Sequence, residues 1–223
     1  MQAVVRGGGL RLGIGVTCVL ALAGLLPAAS ISRSDANPFS GASRSAIVYF
    51  VPLDAHAQQL LKAIVPTLQV WLPANQQLQT ATTKKTWADP ARQGELNTTK
   101  IATDLLNEFR QVQGSRPVAV FAVSSQFVYS PAPPGYSFVF GAWMQPRSLQ
   151  YSAVFGTGPM RVYQPTREKA RLTKFMLRYI GEIVCNPYLQ NSPNPHSVMY
   201  SPVLSTADLD RMVPTLPAHC RRR

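Results

Sequence analysis

Residues 166–200 read TREKARLTKFMLRYIGEIVCNPYLQNSPNPHSVMY. Leu172, Phe175, Met176, Tyr179, Ile180 and Ile183 recur at the i, i+3, i+4 spacing of one buried helical face. Thr166 is placed to cap that helix, and Glu168 puts negative charge in its first turn, where the helix dipole favours it. Beyond Cys185 the chain becomes irregular through Asn186-Pro187 and Asn191-Ser192-Pro193-Asn194-Pro195. Apolar sequence returns at Val198-Met199, in a turn that ends at Tyr200.

Outward from this stretch, strand and helix patterns alternate. Residues 46–52 and 117–123 are short apolar runs bounded by turn residues, which suits buried strands. Two more strands are expected over residues 136–143 and 151–155, and a partly exposed one over 77–86. Asp54 can cap a helix bearing Leu60, Leu61, Ile64 and Val65 and interrupted at Pro66. Asn97 opens another, with Ile101, Leu105, Leu106, Phe109 and Val112 on one face. Met160 to Tyr163 leads into the long helix. The pattern predicts an α/β (α+β) fold, a single domain with a mixed sheet packed against helices.

The amino terminus has a different character. Arg6 and Arg11 precede the apolar run Leu12 to Leu26, followed by Pro27-Ala28-Ala29-Ser30. A basic flank, about fifteen apolar residues and small residues after them make a secretory signal; a membrane anchor wants about 20. The expected organisation is a signal peptide over 1–30, a linker rich in Ser, Asn, Gly and Pro over 31–45, and a folded domain over 46–223. Such a protein is exported to the periplasm or the medium. Cys18 leaves with the leader, so Cys185 and Cys220 remain. In an oxidising compartment the pair reads as a disulfide, with two free thiols or a two-cysteine metal site as alternatives.

The net charge is +12, from 22 Lys and Arg against 10 Asp and Glu. Arg161, Arg167, Lys169, Arg171, Lys174 and Arg178 crowd the long helix and its approach, opposed chiefly by Glu168, and Arg221-Arg222-Arg223 end the sequence. This charge reads as a solvated helix face or as attraction to an anionic membrane or envelope surface. Nucleic acid is not expected, since no recognition motif accompanies the charge. There is no phosphate-binding glycine loop, and Ser124-Ser125 lacks the G-x-S-x-G context of a nucleophile elbow.

The order of elements resembles the archaemetzincins, a branch of the metzincin (zincin-type) metallopeptidases. The likeness rests on the first strand ending Val51-Pro52, Arg92 before the second helix, and the strand Phe138-Val139-Phe140-Gly141-Ala142. Arg161 before the long helix, Asn194-Pro195-His196-Ser197-Val198-Met199, the acidic Asp208 and Asp210, and Cys220 continue it. The resemblance implies a zincin-like domain whose long helix is the former active-site helix and whose Met199 is the methionine of the turn beneath the metal. It also implies that an edge strand including Phe138, Val139, Phe140 and Gly141 borders a substrate cleft.

Family members carry H-E-x-x-H-x-x-G-x-x-H, in which histidines one turn apart hold zinc and the glutamate activates water. Aligned on Gly181, Arg178 stands at the first histidine, Tyr179 at the glutamate and Glu182 at the second histidine, with Cys185 at the glycine. The chain has only His56, His196 and His219, none four apart, so that motif is missing. No cofactor is predicted; Glu182 and His196 are the candidates if zinc binds in a non-standard way. Arg178 and Glu182, four residues apart, can pair where the metal would be. The expectation is a proteolytically inactive protein that binds a peptide or protein partner; the alternatives are an active metallopeptidase and an anionic-envelope binder.

Overall fold

A computed structural model describes residues 47–71, 77–83, 85–113, 118–131, 140–147, 150–162, 164–184, 192–200 and 203–216, all within one unit. For 77–78, 91, 110–113, 143–147 and 182–184 only the backbone is considered. The first strand, β1 (Ile47–Pro52), and the fourth, β4 (Val118–Ser124), are buried along their whole length. Continuous apolar runs of this kind belong to parallel strands covered on both faces. β1 lies between β2 (Gln77–Thr80) and β4, parallel to both, and β7 (Gln150–Gly156) continues the sheet parallel to β4. β6 (Gly141–Arg147) closes it as an antiparallel edge, giving the order β2-β1-β4-β7-β6. A separate parallel pair joins β3 (Leu96–Asn97) to β5 (Val128–Tyr129).

The helices cover both faces. α1 (Ala55–Gln69) and α4 (Glu168–Val184) pack on the side of Phe50, Phe121 and Phe155, together with α5 (Thr206–Arg211). α2 (Thr98–Gln113) covers the other side, over Tyr49, Val51, Val120 and Ala122. Successive residues of β1 and β4 therefore point into two different cores, the period-2 rule of a strand. The α/β fold class with a mixed sheet is as expected.

Local chemistry sets the helix ends. Asp54 caps α1 by accepting from Ala57 N at 2.8 Å, and Asn97 accepts from Lys100 N at 3.1 Å at the start of α2. Asn97 thus acts as a cap and also donates to Tyr129 Oη. Pro66 does not interrupt α1, which runs on to Gln69. Pro66 and Lys62 both face solvent, so the carbonyl that loses its partner stays hydrated while Ile64 and Leu68 remain buried. Thr166 is not a cap. It sits inside a 3₁₀ turn, Pro165–Arg167, that begins after Gln164 and hands over to α4. Proline suits a first turn because it has no N–H to leave orphaned. Met160 belongs to a separate short helix, α3 (Gly158–Arg161), and does not run into α4.

The strand expected over 136–143 is seen only from Gly141 onward, and it extends to Arg147; residues 132–139 lie outside the described residues. Its register shifts between Met144 and Arg147, around Pro146, as an edge strand tolerates. Gly141 marks where β6 presses on the sheet. A Cβ there would lie 2.7 Å from the Val154 carbonyl oxygen and 3.1 Å from the rings of Phe155 and Phe175. Because the closest atom is backbone, Gly141→Ala is expected to destabilise the fold by about 1–3 kcal/mol in urea unfolding. An unchanged midpoint would contradict this packing.

Candidate functional site

Three cations of α4, Arg171, Lys174 and Arg178, follow the i, i+3, i+7 spacing of one helical stripe. The stripe faces the carboxy-terminal segment. Arg171 is 2% exposed and uses four of its five guanidinium N–H groups: Nε donates to Asp210 Oδ1 at 2.9 Å, Nη2 to Asp210 Oδ2 at 2.7 Å and to Gln164 Oε1 at 2.9 Å, and Nη1 to the Met160 carbonyl at 2.6 Å. Lys174 Nζ donates to the carbonyls of Leu209 and Asp210 at 3.0 and 3.1 Å. Arg178 is buried and donates from Nη1 to the carbonyl of Tyr200. A forked guanidinium meeting a carboxylate on two edges is the strong form of such a contact.

Of the six cations read as a solvated basic face, Arg171 and Arg178 are buried and the half-buried Lys174 is engaged beside them. Asp210, 39 residues from Arg171, is the counter-charge that sequence spacing could not reveal. Arg167 also reaches Asp210, at 3.0 Å, and of the long-helix cations Arg167 and Lys169 are the exposed ones. Glu168, nearly buried, pairs instead with His56 at 2.9 Å and lies 3.8 Å from Arg161.

The segment held by this stripe contains the expected turn. Val198 and Met199 are buried at the foot of α4. Gly181 lets them approach: a Cβ there would sit 2.7 Å from Leu216 Cδ2 and 2.9 Å from Met199 Sδ. Met199 therefore lies against the long helix at Gly181. Tyr179 is a core residue, with its ring edge-on to Phe155 and Phe175 at 5.2 Å. Phe140 is likewise in the core, 6.1 Å from the Phe175 ring, so its side chain does not line an open cleft. Gly141 begins the edge strand. Phe138, Val139, Cys185, Cys220 and the side chain of Glu182 lie outside the described residues, and with them the expected disulfide and the Arg178–Glu182 pair.

His196 is exposed, with Nδ1 3.2 Å from the Arg211 carbonyl. Asp208, next to Asp210, belongs to α5: it accepts from Ser205 N and Oγ in a capping box and pairs with Arg211. Among the described residues no three His, Cys, Asp or Glu side chains come together as a metal site. Arg178 is a buried guanidinium and Tyr179 a packed phenol. A fixed cation repels a dication, and Tyr179 is committed to the core, so these residues do not fit a catalytic zinc.

The acidic groups carry the pH dependence. Hydrogen bonds from Arg171 and then Arg167, against an opposing effect of burial, hold the Asp210 carboxyl below its usual range. For Asp208 and Asp54, burial alone would raise the value. It is outweighed at Asp208 by Ser205, Leu204 and Arg211, and at Asp54 by Ala57, Ser125 and Ser124, so both end lowered. Burial lowers the Lys174 ammonium against the pull of Asp210.

No protein-family model and no curated protein matches the sequence. Solved structures do match the fold. The archaemetzincin of Methanopyrus kandleri superposes with a TM-score of 0.57 at 20% identity, covering 81% of this chain and 94% of that one. A zinc-dependent peptidase from Methanocorpusculum labreanum gives 0.59 at 18% identity, over 78% and 97%. The archaemetzincin of Archaeoglobus fulgidus, complexed with malonate, gives 0.50 at 19%, also over 78% and 97%. The chain is similar in fold to archaemetzincins over about four-fifths of its length.

Carboxylates whose folded values are lowered contribute stability above their unfolded values, near pH 4, and that contribution is lost as pH falls through the folded values. Stability is expected to be level between about pH 5 and 7 and to drop below about pH 4. Asp210→Asn, which strips the counter-charge from buried Arg171, is expected to cost about 2–4 kcal/mol at pH 7 and to flatten the acid limb. Denaturant midpoints across pH measure both, and an unchanged acid limb would contradict the assignment.

Proposed function

We propose that this chain is an exported, zincin-like protein without peptidase activity that holds an extended peptide or protein segment along β6. The observation that carries the binding reading is the outer edge of that strand. Gly156 N donates to the Phe140 carbonyl at 3.0 Å, which makes Phe140–Gly156 a hydrogen-bonded pair. In antiparallel pairing such positions alternate, so Ala142 and Met144, opposite Val154 and Ser152, turn their backbone groups toward β7. Gly141 and Trp143 then turn theirs outward, and among the described residues no strand pairs with them. An incoming strand can be added there through main-chain hydrogen bonds, which needs no metal.

The same edge serves as substrate cleft in the resemblance, and hydrolysis is separated from binding by Arg178. With a buried guanidinium donating to Tyr200 where the first ligand histidine would stand, the helix supplies no zinc ligand at that position. Export follows from the leader over 1–30. Of the alternatives, a metallopeptidase relying on Glu182 and His196 draws no support from His196, which is exposed on a loop against Arg211. An envelope-binding role through the basic helix is weakened because Arg171, Lys174 and Arg178 are engaged internally; the exposed Lys169 and Arg167 and the carboxy-terminal arginines are what it would rest on.

Binding of an extended-peptide library separates these readings. Trp143→Pro removes one outward N–H without touching an inward one, whereas Trp143→Ala keeps it. The expected outcome is that the proline variant loses captured peptide about tenfold or more while the alanine variant retains main-chain-dependent binding. Equal binding by the wild type and the proline variant would contradict strand addition, and peptide cleavage abolished by a zinc chelator would contradict inactivity.

A further inference from the structure

The carboxy ends of β4 and β7 border a cavity of about 590 Å³ whose lining includes Gln93, Glu95, Ser125, Gln126, Phe127 and Arg161. Its volume lies within the range of small-molecule sites, and its position is where parallel sheets usually receive ligands. None of its lining residues belongs to the α4 stripe or to β6.

The walls are pre-organised. Ser125 is fixed by its N–H donating to Asp54 Oδ2 at 2.7 Å, and Gln126 N donates to Ser124 Oγ at 3.1 Å. Phe127 rests on Gly158, where a Cβ would come within 2.7 Å of its ring, yet 37% of the residue stays exposed. On the opposite wall Gln93 adopts φ +56°, an uncommon conformation for a residue with a side chain. It is held there because the Asp89 carbonyl accepts from both Arg92 N and Gly94 N at 3.0 Å.

The polar groups define the ligand. The Arg161 side chain is 41% exposed and is aimed by two contacts: Nη2 donates to the Ser125 carbonyl at 2.8 Å, and Nε lies 3.8 Å from Glu168 Oε1. Its Nη1 has no partner among the described residues. The negative charge of Glu95 is answered by Arg92 at 2.9 Å, which itself stacks 4.0 Å over the Tyr129 ring. What the cavity offers is one positioned cationic donor, one exposed aromatic ring and the neutral amides of Gln93 and Gln126.

We propose that this cavity binds a small aromatic carboxylate, its carboxylate on Arg161 and its ring against Phe127. A guanidinium discriminates for a planar anion, the phenyl face for an apolar ring, and the two amides for a polar substituent on that ring. This site is independent of peptide binding at β6, so either can fail without the other.

Titration of the full-length protein with benzoate, followed by amide chemical shifts, tests the proposal. The expected result is saturable binding at about millimolar Kd or tighter, with shifts at Ser125, Gln126 and Gly94. Arg161→Gln and Phe127→Ala should each weaken it roughly tenfold or more, while Lys169→Gln, on the exposed side of α4, leaves it unchanged. Arg161→Lys keeps the charge but not the fork and serves if Arg161→Gln does not fold; it should also bind less tightly. Benzamide binding as well as benzoate, undiminished binding by the Arg161 and Phe127 variants, or no saturation up to about 20 mM would overturn the proposal.

Discussion

The architecture depends on a line of three cations on α4 that would be costly to bury alone. Arg171, Lys174 and Arg178 are brought to the interior side of the helix, and each is answered from the carboxy-terminal segment: Asp210, the carbonyls of Leu209 and Asp210, and the carbonyl of Tyr200. Removing a buried charge from water is compensated only when its hydrogen-bonding capacity is met. Tyr200 and the segment 209–210 are therefore held against the helix. Beside them, Met199 and Leu216 press against Gly181 and close the apolar core under the sheet.

This arrangement gives the fold a way to gather its last segment against the long helix without a metal. On the same helix Arg178 is buried and bonds the carbonyl of Tyr200, one residue past Met199. The helix also keeps Met199 beneath Gly181 and Tyr179 within the aromatic core. At the sheet edge β6 turns the backbone groups of Gly141 and Trp143 outward, and among the described residues no strand pairs with them.

Much of this was legible in the sequence. The all-apolar runs of β1 and β4, the stripe from Leu172 to Ile180 and the Asp54 cap follow from periodicity and capping, which are local. The resemblance to archaemetzincins also rested on short local pieces in the right order. What local patterns could not show is long-range pairing. Arg171 and Asp210 are 39 residues apart, and His56 and Glu168 are 112 apart, so the basic stripe looked like a surface face. Pro66 and Thr166 misled for a similar reason: whether a proline breaks a helix, or a threonine caps one, depends on which side faces water and where the preceding turn begins.

We infer that the clasp between Arg171, Lys174, Arg178 and the carboxy-terminal segment holds this fold without zinc. The direct measurement is the zinc content of the full-length protein purified without chelator, together with its Tm before and after treatment with a strong chelator. Less than about 0.1 zinc per chain and no shift in Tm are expected, because a bound metal would otherwise contribute its binding free energy to folding. A content near one zinc per chain, with a Tm that falls on chelation, would contradict it.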